Sequence, residues 1–352
     1  MLMTGDAISI YMLSLQRVLE QLGVSVRLYA DYIAPLYHHS ARPTSAYQPT
    51  GQDILWFHYS IWSDNFSVLD RSDDFKVMDY HGVTPPHLSV DFDPRLAELC
   101  RKAINEMPAL SRVFDWCIYH AEDGRRDLEQ AGYTRFSQVR LPVDTTALGV
   151  EEDRELSAML DQLDYILFVG RIVPQKDVLS IVRVFAEVNK HCPQVCLLLV
   201  GSTGLLPGYV QRVRDEIKRL NLERRVRLIG QITDRTALTS LFCHAKFLVV
   251  LSEWESFCVP AVEAMFFGLP VIHEGKGPVA ENVGDAGIVI DKSAPDRAGK
   301  QIALAWGAAE SYAQLRADAL RRSSSFTDAA LAGSLRDVLG EWAQAFGVSR
   351  LQ

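Results

Sequence analysis

Several things are missing from this chain. No uninterrupted apolar run reaches the roughly 18 residues needed to span a membrane as a helix. The first residues, Met1 to Tyr11, have neither the basic start nor the apolar core of a signal peptide, so a cytoplasmic protein is expected. There is no excess of positive charge. A formal net charge of −8 excludes a general nucleic-acid binder, though not a local basic pocket. The six cysteines, Cys100, Cys117, Cys192, Cys196, Cys243 and Cys258, form no CxxC pair and lie mostly inside apolar runs. Cys192 and Cys196 flank a turn beside His191, but Cys196 begins the strand-like CLLLV, so reduced core thiols are the better reading. No DxD-like acidic pair stands in a phosphate context, so no required metal and no cofactor are expected. Short repeats and low-complexity segments are absent as well.

What is present is an alternation. The chain has 352 residues, 48% hydrophobic, a length that favours two domains over one. Short apolar runs recur as VRLYA (26–30), DILWFHY (53–59), FKVMDY (75–80) and WCIYH (116–120). A second series follows with YILFVG (165–170), VCLLLVG (195–201), VRLIG (226–230) and FLVVL (247–251). Amphipathic stretches such as 177–190 and 208–220 separate them. Strands apolar throughout, alternating with helices, indicate parallel sheets covered on both faces. The expected organisation is α/β with two doubly wound, Rossmann-like domains, residues 1–150 and 151–322, and a C-terminal helix over 323–352. The polar segment 144–164 is the natural boundary. Near the start, a glycine turn leads directly into a helix with apolar positions Ile10, Leu13, Val18 and Leu22. Only MLM precedes it, so a first strand is expected to be missing or truncated.

Open parallel sheets collect ligands at the carboxyl ends of their strands. FVGRIVPQKD leaves its strand at Gly170 and offers Arg171 and Lys176, while LLVGSTG ends in Gly201 and Gly204. SEWESFCVPAVEAM turns and enters a helix near Pro260, a residue suited to a first helical turn. Two cations, glycine turns and a helix N-terminus together suit a dense anion such as a diphosphate. Alone, each is more ordinarily a solvated loop feature. Glu255 in the turn and Glu263 one helical turn beyond Pro260 are placed to face one crevice, where carboxylates accept hydrogen bonds from a sugar diol. A loop acid and an unrelated helix acid is the plainer alternative.

The order GR…K, then VG, then ESFCVPAVEAMFFGLPVI with its E-x7-E, then ENVGDAGIVID, resembles the retaining GT-B glycosyltransferases of family four, also called group 1. In the first half GDAIS, LEQLGVSVRLYA, DILWFHYSIWS, YHGVTPPHL, DPRLAEL and GY…RLPVD resemble a bacterial subgroup, so the likeness covers nearly the whole chain. It implies the GT-B fold, two domains facing a cleft with the last helix crossing back to the first. It also implies a retaining hexosyltransferase-like enzyme moving a sugar from a UDP-, GDP- or ADP-sugar to an acceptor hydroxyl of a glycan or small molecule, in polysaccharide or glycoconjugate biosynthesis. Carried onto this sequence, Arg171 and Lys176 would neutralise the diphosphate, Glu255 would hold sugar hydroxyls and Glu263 the ribose. Gly170, Gly201 and the backbone around Ser256, Phe257 and Cys258 would meet the donor. The family more often has glycine at Ser256 and Cys258, which puts donor preference in doubt but not the chemistry. GQITDR (230–235) matches the base pocket. His81 would approach the reacting sugar, with His58 and His120 weaker candidates; a histidine satisfied at a strand end is the alternative. Gly5 and Asp6 would face the donor phosphates.

Two other classes share the fold. A nucleotide-sugar epimerase is one; a phosphorylase is disfavoured because no segment matches a pyridoxal-phosphate lysine. A non-catalytic sugar-nucleotide-binding subunit is the other, and donor hydrolysis with acceptor-dependent diphosphate release separates them. At the far end, residues 316–347 are helical, with Leu331, Leu335, Val338, Leu339 and Trp342 on one face. Arg321 and Arg322 offer a peripheral contact with an anionic membrane, but two arginines are too few to decide it.

Overall fold

The computed structural model describes residues 2–3, 6–143 and 151–346. The chain divides into two compact units: Met1–Val90 with Pro94–Asp144 and Ser325–Gln352, and Asp91–Asp93 with Thr145–Ser324.

In the first unit, strands β1 (Leu28–Ala30) and β2 (Ala41–Pro43) pair in parallel, and β3 (Ile54–Tyr59), β4 (Phe75–Tyr80), β5 (Trp116–Tyr119) and β6 (Phe136–Gln138) form a parallel sheet in that order. Helices α1 (Ala7–Gln21), α2 (Ser67–Arg71), α3 (Pro94–Leu110) and α4 (Glu122–Gln130) lie between the strands in sequence. Where a first strand was expected to be missing, Leu2 makes a single parallel bridge to Ile33 and is fully buried. Asp6 starts α1 by accepting the Ser9 amide and hydroxyl at 2.9 Å each, which satisfies donors the first helical turn leaves open. The buried apolar residues of α1 are Tyr11, Met12, Leu15, Val18 and Leu19; of the apolar positions named from sequence, Val18 is buried and Ile10, Leu13 and Leu22 are half-buried. Tyr11, 2% exposed, is the anchor that turns the helix.

The second unit opens with α5 (Arg154–Leu160), then alternates β7 (Tyr165–Val169), α6 (Val178–His191), β8 (Cys196–Val200), α7 (Pro207–Arg219) and β9 (Val226–Gly230). It continues with α8 (Arg235–His244), β10 (Phe247–Val249), α9 (Val259–Phe266), β11 (Val271–His273), α10 (Gly277–Val283), β12 (Gly287–Val289), α11 (Pro295–Gly307) and α12 (Ala309–Ser323). Its six parallel strands run β12-β11-β10-β7-β8-β9. Read from β9, that is the doubly wound 3-2-1-4-5-6 order, and the direction of winding reverses between β7 and β10. The core of β7 and β8 is apolar on both faces, with Ile166, Leu167, Leu197 and Leu199 all buried.

The last helix, α13 (Asp328–Phe346), belongs to the first unit. Leu331, Leu335, Val338 and Trp342 are buried and Leu339 partly so. Trp342 packs edge-on against Trp56 at 5.4 Å, and Arg17 of α1 reaches Asp328 at 2.8 Å.

Helices α6 and α11 approach closely at Gly299, where an added Cβ would fall 2.4 Å from Glu187 Cβ. Helix propensity favours alanine over glycine by about 1 kcal/mol, whereas overpacking costs about 1–3 kcal/mol. Packing should win. Gly299→Ala is expected to lower the urea midpoint of the chain, and an unchanged or raised midpoint would show that the two helices can move apart.

Candidate active site

The reversal between β7 and β10 leaves a crevice at their carboxyl ends, and the second unit gathers its unusual residues there. Beyond β7, Gly170 donates its amide to Val200 O at 2.9 Å, while Gly201 donates to Gly230 O at 2.8 Å. Gly201 has φ +150, and a Cβ there would sit 1.8 Å from the Gly170 carbonyl oxygen. Only glycine permits this approach. Arg171 is exposed, and Lys176 stands at the end of a short 3₁₀ turn. Asp177 follows at φ 43 and caps α6 by accepting the Ser180 amide at 3.3 Å.

From the β10 side comes the turn 251–258. Lys176 Nζ donates to both oxygens of Glu255, at 2.6 and 2.7 Å, and Ser252 Oγ donates to Glu255 Oε1 at 2.7 Å. The two expected partners of different parts of a donor are therefore paired with each other. Glu255 is 8% and Lys176 15% exposed by side chain, so the pair is largely desolvated. The turn ends at Cys258, which caps α9 in the left-handed region at φ 71. Ser256 does not share that conformation. Of the two positions where the resembled family favours glycine, this is the one whose backbone asks for it, at a cost of about 1–2 kcal/mol for a side chain. Burial pushes the Cys258 thiol well above its ordinary value, the adjacent Glu255 carboxylate adding to it. No side chain caps α9, and Asn282 Nδ2 holds the turn by donating to Phe257 O at 2.6 Å.

Glu263 lies on α9, 12% exposed, with Arg235 Nη1 of α8 at 3.7 Å. Burial raises its carboxyl above the usual glutamate range, and Arg235 pulls against that shift without cancelling it. Beneath these residues Lys292, just past β12, donates to Leu251 O at 2.9 Å and contacts Asp177, Glu253 and Glu274 at 2.9, 2.8 and 3.0 Å. Burial alone would lower its ammonium, but the three carboxylates outweigh burial and hold it raised.

Sequence reasoning named neither Lys292 nor Ser252, and it quoted Arg235 only as part of GQITDR. The signal for Lys292 was available: a lone lysine in IVIDKS at a strand end, opposite acids that follow three other strands. Of the expected residues, Gly170, Arg171, Lys176, Gly201, Glu255, Ser256, Phe257, Cys258 and Glu263 all belong to loops and first turns at this sheet edge. Gly5 lies outside the described residues. Asp6 is engaged as the α1 cap.

His81 belongs to the first unit, where it forms a buried cluster at the carboxyl ends of β3, β4 and β5. His58 pairs with Asp79 in register across β3 and β4. His58 Nδ1 is 2.9 Å from His81 Nε2, and each lies 3.6 Å from an oxygen of Asp79. Trp56 Nε1 donates to Asp79 Oδ2 at 2.7 Å, His120 Nε2 stands 2.8 Å from Oδ1, and His120 Nδ1 is 2.7 Å from Val139 O. Tyr11 meets all three imidazoles edge to face at 5.3–5.8 Å. Burial lowers the His58 and His81 imidazoles, against the pull of Asp79. Burial pushes Asp79 up, but His120 and His81 outweigh it and hold the carboxyl below its ordinary value.

Residues 150–322 match the family model described as glycosyl transferases group 1. The O-antigen chain mannosyltransferase B of Escherichia coli is 29% identical over 38% of this chain and 34% of that protein. Across the curated relatives cited here and a D-inositol 3-phosphate glycosyltransferase of Mycobacterium leprae (28% identical), the chain spans 34% to 59% of the relative's length. Among solved structures, Anabaena Alr3699/HepE in complex with UDP and glucose superposes with TM-score 0.72 at 17% identity, covering 94% of this chain and 96% of that one. A Rickettsia africae glycosyltransferase gives TM-score 0.74 at 13% identity, covering 97% and 96%. The fold is GT-B, and the match to the glycosyl transferases group 1 model lies within the second unit.

The raised Glu263 carboxyl has a measurable consequence. Folding favours its protonated form, so that contribution is present below the unfolded value, about 4.3, and is lost as pH rises through the folded one. Glu263→Gln should therefore hold or raise the melting temperature at pH 7 and flatten its dependence on pH above that range. A lower melting temperature at pH 7 would mean that the ionised carboxylate stabilises the fold.

Proposed function

We propose that this chain, whose second unit matches the glycosyl transferases group 1 model, transfers a sugar from a nucleotide diphosphate sugar to an acceptor hydroxyl with retention of the anomeric configuration. The observation that carries the reading is the convergence of Lys176, Glu255, Arg171, the Glu263–Arg235 pair and the uncapped N-terminus of α9 at the switch point of one sheet. The α9 amides and Lys176 meet the diphosphate, with Arg171 beside them. Glu255 holds hydroxyls of the transferred sugar, and Glu263 accepts hydrogen bonds from the neutral diol of the ribose. GQITDR lines the base. In transfer, the bond from the anomeric carbon to the diphosphate oxygen breaks as the acceptor oxygen bonds to that carbon on the same face. The acceptor proton passes to the departing phosphate. Negative charge grows on the diphosphate as this happens, so fixed cations lower the barrier. Because protein cations and helix amides supply that charge, the transfer step needs no metal and no cofactor. His81 of the first unit is assigned a part in transfer.

UDP and glucose bound in the HepE structure support a UDP-sugar before a GDP- or ADP-sugar. Relatives named for O-antigen and inositol-phosphate glycosylation support a glycan or glycoconjugate acceptor and a role in bacterial glycan biosynthesis. Among the described residues no helix is long and apolar enough to cross a membrane. A peripheral membrane contact would fall to exposed groups such as Arg321, because Arg322 donates to the Asn282 and Glu281 carbonyls.

Kinetics with a panel of nucleotide sugars, read as nucleoside diphosphate release with and without acceptor, tests the class. Acceptor-independent epimerisation, or binding without turnover, would replace it. Arg171→Ala and Lys176→Ala are expected to lower kcat by about 10²-fold or more, with donor affinity less affected. Glu263→Ala should act mainly on affinity for free nucleoside diphosphate, and Glu255→Ala on both. His81→Ala should reduce transfer while leaving donor binding within a few-fold. Lys176→Ala also leaves Glu255 buried without its partner, at a cost of about 3–5 kcal/mol. The double variant Lys176→Met with Glu255→Gln should therefore regain stability and not activity. Full activity in both single cation variants would end the diphosphate assignment.

A further inference from the structure

We propose that His58 Nδ1, His81 Nε2 and the Asp79 carboxylate form a binding site for a divalent transition-metal cation of the zinc class, with His120 oriented beside it. The site lies in the first unit and takes no part in the diphosphate chemistry proposed above. Its donors come from adjacent parallel strand ends: His58 opposes Asp79 in register, and His81, two residues past Asp79, returns to the same face. His58 Nδ1 and His81 Nε2 stand 2.9 Å apart, and each lies 3.6 Å from a different oxygen of Asp79, Oδ2 and Oδ1 respectively, so the carboxylate faces both nitrogens. Around a cation with ligands at about 2.0–2.2 Å, neighbouring donor atoms sit roughly 3–3.5 Å apart. Two imidazole nitrogens and a carboxylate favour Zn²⁺, Co²⁺ or Ni²⁺ over the oxygen-seeking Mg²⁺ and Ca²⁺.

The surroundings resemble the outer shell that orients metal ligands. Trp56 Nε1 fixes Asp79 Oδ2, and His120 Nδ1 faces the Val139 carbonyl, which assigns its proton to Nδ1 in the neutral ring. His120 Nε2 then turns a lone pair on Asp79 Oδ1 only 2.8 Å away, and neither atom has an aligned hydrogen-bond partner. Two facing lone pairs in a fully buried place repel, and a positive charge between the strand ends relieves them. A proton on His120 would relieve them too. That is the competing account. A metal does it while also engaging the His58 and His81 nitrogens, and it pins the His81 ring by Nε2, leaving Nδ1 as its one remaining polar atom. Tyr11 covers the three rings from α1, and His58, 16% exposed by side chain, is the edge through which an ion would enter.

The test is titration of chelator-treated full-length chain with Zn²⁺ and Co²⁺ against a chromophoric chelator, with melting temperature and visible absorption recorded. One equivalent should bind, raise the melting temperature, and with Co²⁺ give ligand-field bands of low coordination number. His58→Gln, the partly exposed ligand, should weaken binding by at least about 100-fold, and Trp56→Phe, which acts through Asp79, by about 10-fold. His244→Gln, at a separate histidine contacting Glu152 and Asp161 in the second unit, should leave binding unchanged. Asp79→Asn is less informative alone, because it removes a buried charge. The proposal is overturned if no equivalent binds, or if binding survives His58→Gln.

Discussion

The second unit depends on one constraint of topology. β7 and β10 are hydrogen-bonded neighbours, yet two strands and three helices separate them in sequence. Right-handed crossovers carry the helices after these strands to opposite faces of the sheet. Their connecting segments therefore diverge and leave polar backbone and side chains without a packed neighbour at that edge. The residues placed there follow from this: glycines where backbones press together, lysines and acids where charge must be compensated locally. Lys292 shows the compensation directly, since one ammonium holds acids from the ends of β7, β10 and β11.

Much of this edge was legible in the sequence, because doubly wound order and strand-end motifs are local signals. The apolar strands of both series lie within a residue or two of their expected positions. What escaped were elements whose identity is set by pairing instead of pattern. The three-residue strands β2, β6 and β12 are too short for periodicity to register, and neighbours define them. The apolar positions named on α1 include the buried Val18 but miss Tyr11, because counting aliphatic positions overlooks an aromatic that packs against the histidines. Site residues divide in the same manner. Glu255 and Lys176 stand in motifs and were found, but their mutual pairing brings together residues 79 positions apart and could not be read from either motif. The joining of His58, Asp79, His81 and His120 likewise needs the register of three strands.

The two units use buried charge differently. In the second, opposite charges from separate strand ends meet directly, so each acid has a protein cation. In the first, a single carboxylate is surrounded by imidazoles whose charge depends on what binds them, which makes that cluster responsive where the other is fixed.

The Lys176–Glu255 pair also sets how a donor would be received. Because the ammonium already has an anionic partner at 2.6 Å, an arriving diphosphate makes no new ion pair from solvated charges; it exchanges one internal counter-ion for another. Such an exchange happens inside a desolvated site, where dissolved ions screen little. Ionic strength then weighs on the approach of the donor to the exposed Arg171 more than on the final bound state, and association and retention are governed by different charges.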